Sequence, residues 1–190
     1  MQIAQTLVAW STAAAPFEML ALGAALLIVR LVVGTLMAAH GAQKLFGWFG
    51  GGGLAATANA FDGLGFRPGR PFAALAASTE LASGALVMLG LLGPVGPALM
   101  LSVMIVAAVS VHWPHGLFAS TNGIELALLY AAAALGLAFT GPGYFSLDAA
   151  LGLTPLWTWP LAVCAVAVGA VGGVANLTVR RPAARTLGGG

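Results

Sequence analysis

The sequence predicts an all-α membrane protein: a compact bundle of four transmembrane helices with a fifth transmembrane helix appended to it. Of the 190 residues, 60% are hydrophobic and only 6% are charged, whereas about a quarter of the residues in a soluble domain are charged. The mean hydropathy is +0.99. The apolar residues fall into five runs, and runs of about 18 or more are typical of helices that cross a bilayer.

Proline and glycine mark where the predicted spans begin and end. Pro71, Pro97 and Pro160 suit the first turn of a helix, where the missing N–H is not needed. The short turn Gly90–Gly96 predicts that spans two and three form an antiparallel hairpin, and Gly141 begins the sequence that stops span four. The five predicted spans are Glu18–His40, Pro71–Leu92, Val95–Trp113, Asn122–Thr140 and Pro160–Val179.

The bundle is predicted to occupy residues 18–151, with one unusual loop inside it. Residues 1–17 lack the basic start of a secretory signal, and we expect them to form an interfacial segment. The loop 44–70 contains four consecutive glycines and five aromatic residues, which is too apolar for a solvated loop. It predicts a short helix at about Leu54–Gly63 that lies at the interface or re-enters the bundle.

The last part of the chain, residues 152–190, contains the fifth helix and a basic tail. Gly169, Gly172 and Gly173 have a spacing that suits close helix packing. Two uses of this face remain open: packing inside the bundle, or contact with a second copy in a homo-oligomer.

The basic residues predict the orientation. With the N-terminus outside and the C-terminus in the cytoplasm, every basic residue outside the spans falls on the cytoplasmic side, as the positive-inside rule requires. We therefore expect a multi-pass protein of the cell membrane, with the lipid bilayer as its surroundings.

Composition also excludes several function classes. The net charge is only +2, and no Lys/Arg run with interleaved aromatic residues points to nucleic acid. The single cysteine, Cys164, excludes an internal disulfide, a CxxC redox pair and a thiolate-held iron–sulfur cluster. Neither haem nor a metal is predicted, because the sequence has no CxxCH motif and two histidines at helix ends are a weak signal.

Arg30 is the least expected residue, because it lies in the middle of the apolar run Ala21–Ala39. It is about 15 Å from the cytoplasmic end of span one at the rise of an α-helix. A charge at that depth is costly and almost always faces a partner or a cavity. Glu80 has a matching depth in span two, so the sequence predicts an Arg30–Glu80 ion pair, with either a functional role or that of a staple that fixes helix order.

Other polar residues lie near the cytoplasmic ends of the spans and predict a ligand or proton-relay cluster. A histidine could donate a hydrogen bond to a quinone carbonyl, a glutamate could relay a proton, and aromatic residues of the loop could flank the ring. Simpler interpretations stay open: histidines at the headgroup level, and a glutamate that only interacts with a helix dipole. The cluster candidates are Arg30, His40, Lys44, Glu80, His112 and Glu125, and the quinone-flanking candidates are Phe46, Trp48 and Phe49.

Several segments resemble the DoxX family of small bacterial membrane proteins. The clearest is LVVGTLMAAHGAQKLFGWFGGGG, which starts at Leu31. The resemblance covers about Arg30–Leu151 and does not include the fifth span. It implies a four-helix fold, the six polar positions above, and either quinone-linked electron transfer, as a subunit of the thiosulfate:quinone oxidoreductase type, or a partner role in a redox complex. The looser matches are Thr79–Leu81, the histidine at the end of span three, Asn122–Glu125 and Tyr144–Asp148.

Three functions therefore compete. The favoured one is a membrane subunit that interacts with quinone or partners a redox enzyme, in which case the chain itself is an accessory or non-catalytic subunit. The second is a structural scaffold that binds a partner or other copies. The third is a proton or small-solute transporter, against which the outer halves of spans two to four contain almost no ionisable residue.

Overall fold

The computed structural model describes the backbone of residues 2–181 and the side chains of residues 17–181. Within the described backbone the chain is helical and has no strand, which confirms the predicted all-α fold. The predicted interfacial role of residues 1–17 stays a prediction, and most of the basic tail lies outside the described residues. The helices are α1 (Gln2–Phe46), α2 (Gly53–Leu64), α3 (Gly69–Leu89), α4 (Val95–Ala107), α5 (Glu125–Thr140), α6 (Leu147–Ala150) and α7 (Trp159–Thr178).

In the described part of the chain, four helical segments are long and apolar enough to cross a membrane. They are Phe17–Phe46, Gly69–Leu89, Val95–His115 and Trp159–Thr178. The fourth predicted span is shorter than expected: α5 has 16 residues and extends about 24 Å. It starts late because Asn122, at φ 64°, is left-handed and cannot begin an α-helix.

The predicted short helix in loop 44–70 is confirmed as α2. It packs on α1 and α3 and ends at Gly65, whose φ of 95° suits glycine as a C-terminal cap. The loop therefore returns to the bundle and covers one end of it.

Glycine brings α1 and α3 into close antiparallel contact. A Cβ added at Gly34 would lie 2.6 Å from the Met88 nitrogen, and one at Gly41 would lie 2.5 Å from the Leu81 nitrogen. Only glycine permits such an approach of two helix backbones.

This packing fixes the level of each charge along the bundle. Gly90, directly after α3, lies against the Arg30 guanidinium, whereas Lys44 reaches Glu80 in the middle of α3. Arg30 and Lys44 are therefore about 21 Å apart along α1. We call the two regions the Arg30 end and the Lys44 end of the bundle.

Each end is built from a different set of segments. The Arg30 end contains the C-terminal ends of α3 and α5, the start of α4 and the segment 141–158. The Lys44 end contains α2, the C-terminal end of α1 and the start of α5. The orientation that places the Lys44 end in the cytoplasm stays a prediction.

The fifth helix packs inside the bundle, against α4. A Cβ at Gly173 would lie 2.8 Å from the Ser102 carbonyl oxygen, and one at Gly169 would overlap the Ala98 carbonyl. Of the two uses left open by the sequence, these glycines serve the bundle itself. Homo-oligomerisation stays a prediction and would need a different face of α7.

The chain after α7 is tied to the end of α2. The Arg180 Nε donates to the Leu64 carbonyl oxygen at 2.6 Å, and the Arg181 backbone N–H donates to the Gly65 carbonyl oxygen at 2.8 Å. The fifth helix thus helps to hold α2 over the Lys44 end.

Candidate functional site

A cavity of about 860 Å³ lies at the Lys44 end, between α1, α2, α3, α4 and α7. Its size is within the range of about 300–1,000 Å³ that is usual for small-molecule sites. Most of its lining is apolar, and the lining includes Leu75, which is 55% exposed. The titratable residues in its lining are His40, Lys44, Glu80 and His112.

Glu80 is the buried charge of this cavity. It is 3% exposed, and its Oε1 accepts a hydrogen bond from the Lys44 Nζ in an ion pair. Its other oxygen, Oε2, is buried and has no hydrogen-bond partner within the described residues. An unpartnered buried oxygen of a carboxylate is costly, so Oε2 is an acceptor that lacks a donor.

Lys44 lies in the last turn of α1 and reaches back along the helix to Glu80. Its side chain is 34% exposed, in contrast to the buried carboxylate. Arg30, Met37 and Lys44 are spaced seven residues apart and share one face of α1. This face points into the bundle, because Met37 is fully buried and Arg30 is 3% exposed. The long lysine side chain can therefore cross from the helix end to a deeper carboxylate.

The two histidines meet the cavity from different sides. His40 packs edge-on against the Tyr130 ring of α5, with centroids 6.2 Å apart. The His112 Nδ1 donates to the Asn122 carbonyl oxygen at 2.8 Å. That hydrogen bond leaves Nε2 as the acceptor nitrogen of the neutral ring.

A π-helical turn, Ala108–His112, carries His112 and continues α4. Three of its residues, Ser110, Val111 and His112, line the cavity. Single π-turns in α-helices occur frequently at functional sites. Sequence periodicity did not predict this turn, because a one-residue change in helical register has no compositional signal.

The quinone-flanking residues predicted from the sequence do not line the cavity. Phe46, Trp48 and Phe49 are 56%, 59% and 72% exposed, and they stack on one another instead. The glycine-rich turn that follows α1 directs them outward, as expected for an interfacial anchor.

A different aromatic group lines the cavity. Phe66 is 1% exposed, and its ring centroid lies 5.5 Å from that of Phe61 and 5.6 Å from that of Phe72. Two of these residues belong to the predicted loop, but the sequence did not show which aromatic residues of the loop turn inward.

The predicted Arg30–Glu80 ion pair is wrong. The Arg30 guanidinium donates to the Pro142 carbonyl oxygen and, at 2.6 Å, to the Phe145 carbonyl oxygen. The prediction assumed that Arg30 and Glu80 lie at the same depth in their spans. In the structure α3 ends beside Arg30, so Glu80 lies about 15 Å further along the bundle at 1.5 Å per residue.

Asp148 is a buried polar residue that was not predicted from the sequence. It is fully buried, and its carboxylate accepts from the backbone N–H groups of Leu92 at 3.0 Å and Gly93 at 2.7 Å. The matching tail of the family resemblance, Tyr144–Asp148, was the signal that could have found it.

Glu125 does not line the cavity. It is the first residue of α5, and its Oε2 accepts from the Ala119 backbone N–H at 2.7 Å. This contact fits the simpler interpretation from the sequence, a charge at a helix N-terminus. Of the six cluster candidates, the structure brings four together and places Arg30 and Glu125 elsewhere.

Metal ligation finds no support in the described side chains. Among residues 17–181, no three His, Cys, Asp or Glu side chains are close enough to hold a metal ion. The titratable residues in the cavity lining can form hydrogen bonds, pair charges and exchange protons.

Comparison with known proteins identifies one family. A search of curated proteins and a search of solved structures gave no match. The family model described as DoxX matches residues 25–113, which run from α1 to the end of the π-helical turn and include the four titratable residues of the cavity. Residues 25–113 are therefore similar to the DoxX family, and they lie in a chain with four helices that are long and apolar enough to cross a membrane.

Proposed function

We propose that the protein binds a quinone-type lipid in the cavity at the Lys44 end and serves as a membrane subunit beside a redox partner. The observation that carries the proposal is the buried Glu80 carboxylate. One of its oxygens is paired with Lys44, and the other has no hydrogen-bond partner within the described residues. A polar acceptor at the bottom of an apolar cavity is suited to a ligand with an apolar ring and a few polar groups.

The aromatic lining of the cavity supports a flat aromatic ligand. Phe61, Phe66 and Phe72 provide apolar faces, and aromatic rings pack well in offset or edge-on arrangements. The lining includes Leu75 of α3, an exposed residue of an apolar helix, which suits a ligand that enters from the bilayer.

The polar residues have separate roles in this proposal. Lys44 can donate to a ring oxygen while it remains paired with Glu80, since an ammonium has three donors. His112 and Glu80 can exchange protons with the ligand. Electrons would come from a redox partner, because these side chains exchange only protons.

The test is a binding measurement with a cavity-filling variant. The protein in lipid nanodiscs is titrated with 2-decyl-1,4-naphthoquinone and with its reduced form, and each dissociation constant is measured. Ala60→Trp places a large ring in the cavity lining and should weaken binding of both forms at least 10-fold.

Ala55→Trp is the matched control, because Ala55 is also an exposed residue of α2 but does not line the cavity. It should bind like the unmodified protein. If neither form binds to the unmodified protein, or if both variants bind equally well, the proposal is wrong.

A further inference from the structure

We infer that the cavity selects the reduced ligand, the hydroquinone, over the oxidised quinone. This inference rests on the proposed function and adds the form of the ligand that the site prefers. A hydroquinone carries two O–H donors where the quinone carries two carbonyl acceptors. The hydroquinone therefore needs acceptors in the cavity lining, whereas the quinone needs donors.

The first open polar position is an acceptor. Because Glu80 is paired with Lys44, its carboxyl group is ionised and can only accept hydrogen bonds. Its Oε2 is buried and lacks a donor within the described residues. A hydroquinone O–H would supply that donor, whereas a quinone carbonyl there would place two lone-pair-bearing oxygens against each other.

The second open polar position is also an acceptor. The His112 ring donates from Nδ1 to the Asn122 carbonyl oxygen, which leaves Nε2 of the neutral ring to accept. Two separate elements, the middle of α3 and the π-helical turn after α4, thus present acceptors to one cavity. Neither position offers a quinone carbonyl a donor.

Lys44 still offers the quinone a hydrogen-bond donor. Its side chain is 34% exposed, and its remaining N–H groups can donate to a carbonyl oxygen. We therefore expect a preference rather than absolute selection, of about 10- to 100-fold, the range for one hydrogen bond to a charged group.

The experiment compares three naphthalene probes of the same chain length on the protein in nanodiscs under anaerobic conditions. They are 2-decyl-1,4-naphthohydroquinone, the corresponding quinone, and the dimethyl ether of the hydroquinone, which keeps the ring oxygens but has no donor. The hydroquinone should bind at least 10-fold more tightly than the other two. This comparison needs no variant of the protein.

Glu80→Gln then tests the residue. A glutamine offers both a donor and an acceptor, so the preference should fall to within about 3-fold, while Glu125→Gln, outside the cavity, should leave it unchanged. Equal binding of the three probes, or tighter binding of the quinone, would overturn the inference but leave the proposed function standing. Binding of none of them would overturn the proposed function instead.

Discussion

The two ends of the bundle treat buried charge in different ways. At the Arg30 end, the guanidinium donates to loop carbonyl groups and Asp148 accepts from loop N–H groups. At the Lys44 end, Lys44 and Glu80 pair through their side chains beside an open cavity. The hydrogen bonds at the Arg30 end hold the loop backbone in place. The ion pair at the Lys44 end lies beside a cavity that a ligand could occupy.

The space around each charge separates the two ends further. Both ends contain an unpartnered polar atom, Arg30 Nε at one and Glu80 Oε2 at the other. The space beside Arg30 is about 10 Å³, which is room for a single water molecule at most. The cavity beside Glu80 is large enough for a ligand, so a buried charge indicates a site only where space accompanies it.

The largest expected effect is the loss of folding in Arg30→Ala. The substitution removes the charged donor of two loop carbonyl groups. Hydrogen bonds to a charged group contribute about 1.5–3 kcal/mol each, so we expect a loss of about 3–5 kcal/mol. Thermal unfolding of the purified protein in detergent measures it. A melting temperature near that of the unmodified protein would show that the Arg30 end is not structural.

The second effect concerns the Lys44–Glu80 ion pair. It compares the loss of the partly exposed lysine with the loss of the charge on the buried carboxylate. Lys44→Met leaves the Glu80 carboxylate buried without a partner and should lower the free energy of unfolding by about 2–3 kcal/mol. Glu80→Gln leaves a partly exposed lysine that can reach water and should cost about 1 kcal/mol.

The double variant Lys44→Met/Glu80→Gln is the control for this pair. It removes both charges of the pair, so it should be more stable than Lys44→Met alone. Strictly additive losses in the three variants would mean that the two side chains do not interact.

Much of the fold was predictable from the sequence, because composition and the lengths of the apolar runs are local properties. The helix at Leu54–Gly63 followed from the apolar loop in the same way. The partner of Arg30 was not predictable, since it depends on where α3 ends relative to α1. That register is fixed by the contacts of Gly34 and Gly41 with α3, which no single run of sequence reveals.

The kinds of residue in the candidate site were predictable, but not which aromatic residues line the cavity. His40, Lys44, Glu80 and His112 were predicted and meet at one cavity. Phe46, Trp48 and Phe49 were predicted for it but point outward, and Phe61, Phe66 and Phe72 take that place. The direction of an aromatic side chain in a glycine-rich loop depends on left-handed turns such as that at Gly47, with φ 74°, which composition alone does not specify.

The third prediction sharpens the structural role of the Arg30 end through glycine. Gly90→Ala should lower the free energy of unfolding by about 2–4 kcal/mol, because the added Cβ would lie 2.5 Å from the Arg30 Nη1 and the residue has a left-handed φ of 63°, which alone costs about 1–2 kcal/mol.

Gly152→Ala is the matched control for Gly90→Ala. Gly152 has a similar φ of 68° but no atom within 4 Å of an added Cβ. It should show only the backbone cost of about 1–2 kcal/mol. Equal losses in chemical denaturation of the two variants would mean that the space around Arg30 can relax.

The smallest effect is expected for Glu125→Gln, a charge that belongs to neither arrangement. Its carboxylate accepts from the Ala119 backbone N–H at an exposed position, and glutamine can keep that hydrogen bond through its carbonyl oxygen. The loss of the favourable charge at the start of α5 should cost about 0.5 kcal/mol. Denaturant titration gives the stability, and titration with the hydroquinone gives the affinity, which should not change. A drop in affinity with normal stability would extend the site beyond the cavity to the start of α5. The contrast between the two ends would then fail to explain the role of Glu125.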